Sequence, residues 1–274
     1  MNENVEKGFT HGGIFHADDV FATALLVLLN PKIQIQRGFE VPKDYDGIVY
    51  DIGGGEFDHH QKDKRIRENG VPYAAFGLLW EKLGTLILSK EDAQKFDEEF
   101  IQPLDLSDNT GEPNELSHII ADRNPSWEDE VEDSDVPFFH AVNFATEILV
   151  YRFKQIRAKR RAFAVVQQKA MKCQEKVLCL EKCVPWKEAV KGQGILYMIF
   201  PSLRGGYCVQ AVPTDEDKTI LKKPFPQNWR GATKEELVSM TGVESFGFCH
   251  PSGFLCSVGT LEDAKKLAKM AVEM

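Results

Sequence analysis

Histidine and aspartate residues concentrate near the start of the chain. Four of the seven histidines lie within the first sixty residues, each within two positions of an acidic residue or a glycine. His11, His16 and Asp18 form the pattern His-x4-His-x-Asp, and the triplet Asp58-His59-His60 comes shortly after Asp51. Imidazole and carboxylate side chains are common ligands of divalent metal ions. The spacing therefore predicts a metal site that is assembled from separate segments of the chain.

The donor types favour Mn²⁺ as the bound ion. Mixed imidazole and carboxylate ligands without thiolate suit Mn²⁺, and Mg²⁺, Zn²⁺ and Fe²⁺ are alternatives. Asp105 and Asp108, near the predicted end of a helix, add carboxylates that could reach the same site. This surplus of ligands favours two ions that share a carboxylate, an arrangement suited to phosphoryl chemistry. Each segment alone could equally be a surface turn, and we interpret His118 and His140 as ordinary surface or core residues.

The segments that carry these residues are predicted to be turns at one edge of a parallel sheet. Short apolar segments that end near Thr10, Ile35 and Tyr50 predict three strands. Helices are predicted over residues 18–29, 73–88 and 91–106, the last one ending before Asn109-Thr110-Gly111. Strands that alternate with helices favour an α/β fold with a doubly wound parallel sheet, which binds ligands at the carboxyl ends of its strands.

The second half of the chain predicts a smaller α/β unit. The predicted elements are a long helix over 138–171, broken once at most, a hairpin of strands 195–200 and 207–212, a strand over 246–249 and a helix over 261–272. Six acids in residues 128–135 are followed by eight bases and no acid in residues 152–172. Such a change of charge marks a domain junction. We therefore predict one domain over residues 1–165, which contains the metal ligands, and a second over residues 166–274.

Composition excludes several classes of protein. With 274 residues, 43% hydrophobic and 27% charged, the chain is typical of a globular protein rather than a disordered one. No apolar stretch approaches the roughly 20 residues that a membrane span needs. The amino terminus lacks the features of a signal or transit peptide, and the six cysteines form no Cys-x-x-Cys pair, so we expect a cytoplasmic protein with reduced thiols. The net charge of −9 repels polyanions unless a basic patch or bound cations intervene.

Seven segments of the chain stand out together, namely THGGIFHADD (10–19), YDIGGGEFDHHQ (50–61), LDLSDNTG (104–111), RNPSW (123–127), PWKE (185–188), WRG (229–231) and FCHPSGF (248–254). They resemble, in order, the blocks of the melanocyte-proliferating-gene family, whose members are placed in the DHH phosphoesterase superfamily. The resemblance spans nearly the whole chain. The sequence departs from the family pattern at Ala17 and Asp19, where Cys and Glu are common, at Thr110, and at Cys256-Ser257.

The resemblance implies a role for individual residues of a DHH-type catalytic domain. The implied metal ligands are His11, His16, Asp18, Asp51, His59 and Asp108, with Asp51 and Asp108 as bridging carboxylates. His60 would face the substrate phosphate, and Asp51 and His60 would be the catalytic residues. The second domain would close over the first and clamp the substrate. The implied substrate-binding residues are Arg37, His60, Arg230, His250, Ser252 and Gly253.

The implied activity is metal-dependent hydrolysis of phosphodiesters, as a 3′-to-5′ exonuclease acting on RNA or short oligonucleotides. His60 and His250 would stabilise the transition state beside two ions. A basic run predicts a cationic helix that could flank the site, and it comprises Arg152, Lys154, Arg157, Lys159, Arg160 and Arg161. Trp127, Trp186 or Trp229 could stack on a base. The alternative interpretations are a solvated helix face for the basic run and core positions for the tryptophans.

Two other functions remain open at this point. The first is hydrolysis of a small phosphate such as pyrophosphate or a nucleotide. The second is a nucleic-acid-binding protein that keeps a metal site for stability only. The sequence predicts no membrane partner, and it leaves the oligomeric state open, with a homodimer as one option.

Overall fold

The computed structural model describes residues 6–130 and 135–274, and the chain divides into two compact units, Met1–Ile156 and Arg157–Met274. Residues 1–5, used above for the expected location, and residues 131–134 of the acidic run lie outside the described residues. Both the observed division and the predicted junction at residue 165 fall within one long helix. Within the described ranges, no helix combines the length and apolarity that crossing a bilayer requires.

Among its described residues, the first unit contains three strands, five helices and the first part of a sixth helix, which continues into the second unit. The strands are β1 (Lys7–His11), β2 (Gln34–Gly38) and β3 (Ile48–Val49), and the helices are α1 (Ala17–Leu29), α2 (Ala75–Leu83), α3 (Lys90–Phe96), α4 (Gln102–Thr110), α5 (Glu115–Ala121) and α6 (Asp135–Lys172). A 3-10 turn (Gly84–Leu86) follows α2, and a π-helical turn (Asp97–Ile101) joins α3 to α4. The predicted break in the long helix is absent from α6.

The strands of the first unit form a parallel sheet in the order β2-β1-β3. β1 is central, and its Gly8 pairs with Ile35 of β2 and Ile48 of β3. Its last residue, His11, pairs with Gly38, the last residue of β2. This confirms a mixed α/β fold with a parallel sheet, and it places the carboxyl ends of β1 and β2 at one edge.

Helix α1 is buried through its first ten residues, Ala17–Leu26, which include two aspartates and a threonine. Its apolar side chains pack on α2, where Phe21 stacks on Phe76 with ring centroids 5.5 Å apart. Thr23 in the same helix hydrogen-bonds to the hydroxyl of Tyr50. Because this helix is buried on its polar side as well, its aspartates must find their partners inside the protein.

The helix that carries Asp108 ends later than the sequence predicted. Asn109 and Thr110 belong to α4, and the helix ends at Gly111, whose φ of 73° lies in the left-handed region that favours glycine. The Thr110 hydroxyl donates to the carbonyl of Leu106 at 2.7 Å, and the Asn109 amide donates to the carbonyl of Asp105 at 3.0 Å. Both polar side chains thus donate hydrogen bonds to backbone carbonyls of the same helix, and the helix continues through them.

The second unit is built on a five-stranded sheet in the order β4-β5-β6-β8-β7. Its elements are β4 (Val177–Cys179), β5 (Tyr197–Pro201), β6 (Tyr207–Ala211), α7 (Lys234–Thr241), β7 (Phe248–Cys249), β8 (Leu255–Val258) and α8 (Leu261–Glu273). The antiparallel pairing of β5 with β6 confirms the predicted hairpin. Thr260 caps α8, because its hydroxyl accepts a hydrogen bond from the amide of Asp263 at 3.1 Å.

The three tryptophans considered for base stacking differ in exposure. Trp186 and Trp229 are buried in the hydrophobic cores of the second unit. Trp229 packs edge-on against Phe246 with ring centroids 5.7 Å apart. Neither ring therefore has a free face for a base, and their prediction as stacking residues is wrong. Trp127 is 91% exposed.

Candidate metal centre

The carboxyl edge of the parallel sheet in the first unit gathers histidine and aspartate side chains from five segments. β1 ends at His11, α1 begins after His16, Asp51 follows β3, His59 and His60 lie in the loop between β3 and α2, and Asp108 lies in the last turn of α4. The side chains form three groups whose potential ligand atoms lie within 4.8 Å of one another: Asp51, His59 and His60; His11, Asp19 and Asp51; and His16, Asp18 and Asp108. All six predicted ligands are in these groups, together with His60 and Asp19.

Asp51 belongs to two of the three groups. Its Oδ2 lies 3.1 Å from Nε2 of His11, and its Oδ1 lies 3.0 Å from Nε2 of His59. The backbone of Asp51 has a φ of 58°, which is uncommon for a residue other than glycine. Its amide donates to the carbonyl of Phe57 at 3.0 Å, which fixes this conformation. The two carboxylate oxygens thus face different histidines, as expected of a carboxylate shared by two ions.

His59 connects Asp51 to the third group. Its Nε2 lies 3.5 Å from Oδ2 of Asp18 and 3.3 Å from Oδ2 of Asp108. Oδ1 of Asp18 is buried and has no hydrogen-bond partner among the residues that the structure describes. A buried carboxylate oxygen without a donor is costly. A divalent cation would satisfy this oxygen, so the donor set fits the predicted metal ions.

The buried aspartates of this site carry charges that protons or bound cations must neutralise. Burial and neighbouring carboxylates raise the pKa of Asp18 well above its ordinary value, and burial raises the pKa of Asp19 to about 7. Burial opposes the charge of His11, but its hydrogen bond to Asp51 and the charge of Asp19 raise its pKa to about 9. Burial also opposes the charge of Asp51, yet hydrogen bonds from His11 and His59 lower its pKa to about 2. Without cations, protons must occupy this cluster.

Comparison with known proteins identifies the family. A family model described as MYG1_exonuc, Uncharacterised protein family (UPF0160), matches residues 8–272. The chain belongs to this family. It is 29% identical to the MYG1 exonuclease of Mus musculus over 95% of this chain and 83% of that protein. It is 28% identical to the MYG1 exonuclease of Homo sapiens, over 95% of this chain and 84% of that protein, and 27% identical to a MYG1 protein of Schizosaccharomyces pombe, over 98% of each. No solved structure matches it.

Asp19 is a member of the cluster in this MYG1-family protein that sequence reasoning missed. Its Oδ1 accepts a hydrogen bond from the amide of His16 at 2.9 Å, and its Oδ2 lies 3.2 Å from Nε2 of His11. From the sequence, Asp19 stood out only as a departure from the family pattern within the helix predicted over residues 18–29. The available signal was its position three residues after His16, where a carboxylate can cap the helix and still face the end of β1.

His60 is the exposed histidine of the DHH triplet. Its Nδ1 lies 2.9 Å from Oδ1 of Asp58 and 3.7 Å from Oδ1 of Asp51. Asp58 is held in turn by the amide of Gly54, which donates to its Oδ2 at 2.7 Å. The imidazole of His60 is therefore oriented by a fixed carboxylate while 62% of its side chain remains exposed.

Asp105 does not join the metal centre, which corrects the expectation that it would. Its Oδ2 lies 2.8 Å from Nη2 of Arg67, and its side chain is fully buried. Asp105 approaches α2 closely because Gly77 has no side chain there: a Cβ on Gly77 would lie 1.9 Å from Oδ2 of Asp105. Burial raises the pKa of Asp105 to about 7, although Arg67 opposes this shift. This ion pair joins the loop that precedes α2 to α4, where Asp105 lies one turn before Asp108.

Arg37 is buried beneath the turn that follows β1. Its Nη1 lies 3.0 Å from Oδ1 of Asp135, its Nη2 donates to the carbonyl of Gly13 at 2.9 Å, and its side chain is 1% exposed. Its guanidinium lies over the ring of Phe138, 4.0 Å from the centroid. Contact between Arg37 and a substrate phosphate would require these partners to be exchanged.

The predicted substrate-binding residues of the second unit lie together. Nδ1 of His250 is 2.9 Å from the hydroxyl of Ser252, and the amide of Gly253 donates to the carbonyl of His250 at 2.8 Å. Gly253 has a φ of 72°, and a Cβ there would lie 2.6 Å from Nε of Arg230. Arg230 is fixed by its hydrogen bond to the carbonyl of Phe225 at 2.8 Å. The loop thus brings together the guanidinium of Arg230, the imidazole of His250 and the hydroxyl of Ser252.

Proposed function

We propose that this protein is a metal-dependent phosphodiesterase of the DHH superfamily that removes nucleotides from the 3′ end of RNA or short oligonucleotides. The observation that carries the proposal is the position of Asp51, whose two oxygens face His11 and His59. A carboxylate shared in this way is typical of two-metal hydrolases that act on phosphate esters. The name exonuclease, given to its relatives of 28–29% identity, supports a nucleic-acid substrate.

The donor set suits two Mn²⁺ ions, with Mg²⁺ or Zn²⁺ as alternatives. The residues that would hold them are His11, His16, Asp18, Asp51, His59 and Asp108, and Asp19 is a further candidate. When bound, such ions would polarise the phosphoryl oxygens and lower the pKa of water near the substrate. Asp18 and Asp51 are buried, and burial strengthens the electrostatic attraction between their carboxylates and bound cations.

His60 would contact the phosphate directly. Its side chain is exposed, and its hydrogen bond to Asp58 holds the imidazole in a fixed orientation. A donor held in place before the reaction stabilises negative charge as it develops in the transition state. Arg230, His250, Ser252 and Gly253 would bind the substrate from the second unit, and the exposed basic run of α6 would attract its backbone.

A panel of substrates tests the proposed function. The purified protein is incubated with 5′-labelled RNA, with DNA and with pyrophosphate, in Mn²⁺, Mg²⁺ or Zn²⁺. We expect stepwise shortening of the RNA in Mn²⁺ and no cleavage in EDTA, because the ions activate both water and phosphate. Hydrolysis of pyrophosphate alone would indicate a small-phosphate hydrolase instead. RNA that is bound but left intact in excess Mn²⁺ would indicate a binding protein with a structural metal site.

A further inference from the structure

Two large apolar side chains are exposed on the rim of the candidate metal centre. Phe39 is 81% exposed and Ile14 is 70% exposed. Single exposed apolar residues are common on protein surfaces and need no explanation. These two are unusual in their location, because Ile14 lies in the turn between His11 and His16, and Phe39 lies against that turn.

Sheet register fixes the place of Phe39. Gly38, the residue before it, pairs with His11, and its carbonyl accepts a hydrogen bond from the amide of Gly12 at 2.8 Å. The ring of Phe39 reaches back over the turn, where its Cε1 lies 3.5 Å from the position that a Cβ on Gly13 would occupy. The ring therefore lies at the same sheet edge as the histidine.

The turn beneath Phe39 is held by part-buried hydrogen bonds. The carbonyl of Gly13 accepts from Nη2 of Arg37 at 2.9 Å. The amide of Phe15 donates to Oδ1 of Asn124 at 3.0 Å, and the side-chain amide of Asn124 donates back to the carbonyl of Phe15 at 2.8 Å. Because the backbone on both sides of Ile14 is fixed, the exposed surface is presented in a defined position beside the metal ligands.

We propose that Phe39 stacks on an unpaired base of a single-stranded oligonucleotide whose phosphate occupies the metal centre, and that Ile14 extends this apolar surface. The inference rests on the proposed function and names its substrate class. Every base has an apolar face that stacks on aromatic side chains without regard to sequence. Bases within a duplex are already stacked on their neighbours, so this contact selects single strands. Stacking on Phe39 also needs no basic side chain, which suits a site whose own side chains include several carboxylates.

The test compares substrates with and without bases. Cleavage rates are measured for a single-stranded oligonucleotide and for the same oligonucleotide with abasic terminal residues. We expect Phe39→Ala to lower kcat/KM about tenfold on the natural substrate, in line with the loss of one stacked base, and to leave cleavage of the abasic substrate unchanged. Phe39→Tyr should retain the wild-type rate. Leu86→Ala, which removes an exposed apolar side chain from the turn after α2, is the matched control.

Binding separates failure of this inference from failure of the proposed function. The affinity for a fluorescent single-stranded oligonucleotide is measured for the wild type and for Phe39→Ala. Weaker binding by the variant supports stacking even where the wild type cleaves nothing, a result that would reject the nuclease function alone. Equal losses on natural and abasic substrates, or unchanged binding and cleavage, would overturn the stacking role. The stacking role would also be overturned if the wild type did not bind the oligonucleotide, or if Phe39→Ala changed only the oligomeric state.

Discussion

Replacing Asp51 with asparagine is expected to lower phosphodiester hydrolysis by about 10³-fold or more while the protein remains folded. Loss of a single electrostatic contact to the transition state costs about 10²–10³-fold in well-studied hydrolases. Asp51 would serve two ions, since its oxygens lie 3.1 Å from His11 and 3.0 Å from His59. An amide keeps the shape of the side chain but provides one neutral oxygen and one donor, so the shared contact is lost.

Asparagine is the appropriate replacement because of the backbone. Asp51 has a φ of 58°, and asparagine tolerates this region better than alanine does. Asp44 offers a matched control, because it also has a φ of 58° but is exposed and belongs to no histidine group. Asp44→Asn should retain wild-type activity, and both variants should show wild-type circular dichroism. Full activity in Asp51→Asn would reject its proposed role.

Replacing Arg67 with methionine is expected to lower the free energy of unfolding by about 3–5 kcal/mol, the usual cost of removing one partner from a buried ion pair. The Arg67 side chain is 6% exposed and lies 2.7 Å from Asp97 and 2.8 Å from Asp105. Its guanidinium also covers the ring of Tyr73 at 3.8 Å. Without the cation, Asp105 stays buried against Gly77 with no compensating charge. Urea denaturation monitored by fluorescence measures the change.

The neighbouring Arg65 provides the control for this effect. It forms an ion pair with Glu81 at 2.6 Å and also lies over Tyr73, but both charged side chains are about half exposed. Arg65→Met should therefore cost less than about 1 kcal/mol. The double variant Arg67→Met, Asp105→Asn should recover part of the stability lost by Arg67→Met alone, since it removes the uncompensated charge. Equal costs for the two arginine variants would contradict this interpretation.

The gathering of the candidate metal ligands could be predicted from the sequence because their positions are set by short-range patterns. His11 and Asp51 each stand where a brief apolar segment ends, and parallel strands bring such ends to one edge. The hairpin of β5 and β6 was predictable for a similar reason, since two apolar segments flank a glycine pair. Membership of the melanocyte-proliferating-gene (MYG1) family, recognised from its motifs, is confirmed by the match of the family model over residues 8–272.

Features that depend on contacts between distant residues could not be predicted in this way. Arg67 joins Asp97 and Asp105 through tertiary contacts that leave no periodic signal in the sequence. Asp105 and Asp108 lie in the same helix, yet only Asp108 joins the histidines, because the missing side chain of Gly77 lets Asp105 turn toward α2. Composition also cannot show whether a tryptophan is buried: Trp127 is 91% exposed, whereas Trp229 lies in the core of the second unit.

Counting the bound ions tests the central claim most directly. The protein is stripped of metal with EDTA and dialysed to equilibrium against Mn²⁺, and the bound metal is measured per chain for the wild type, Asp44→Asn and Asp51→Asn. The shared carboxylate predicts two Mn²⁺ per chain for the wild type and Asp44→Asn, and weaker binding at both sites for Asp51→Asn. No bound Mn²⁺, or an occupancy that Asp51→Asn leaves unchanged, would contradict a two-metal centre built around Asp51.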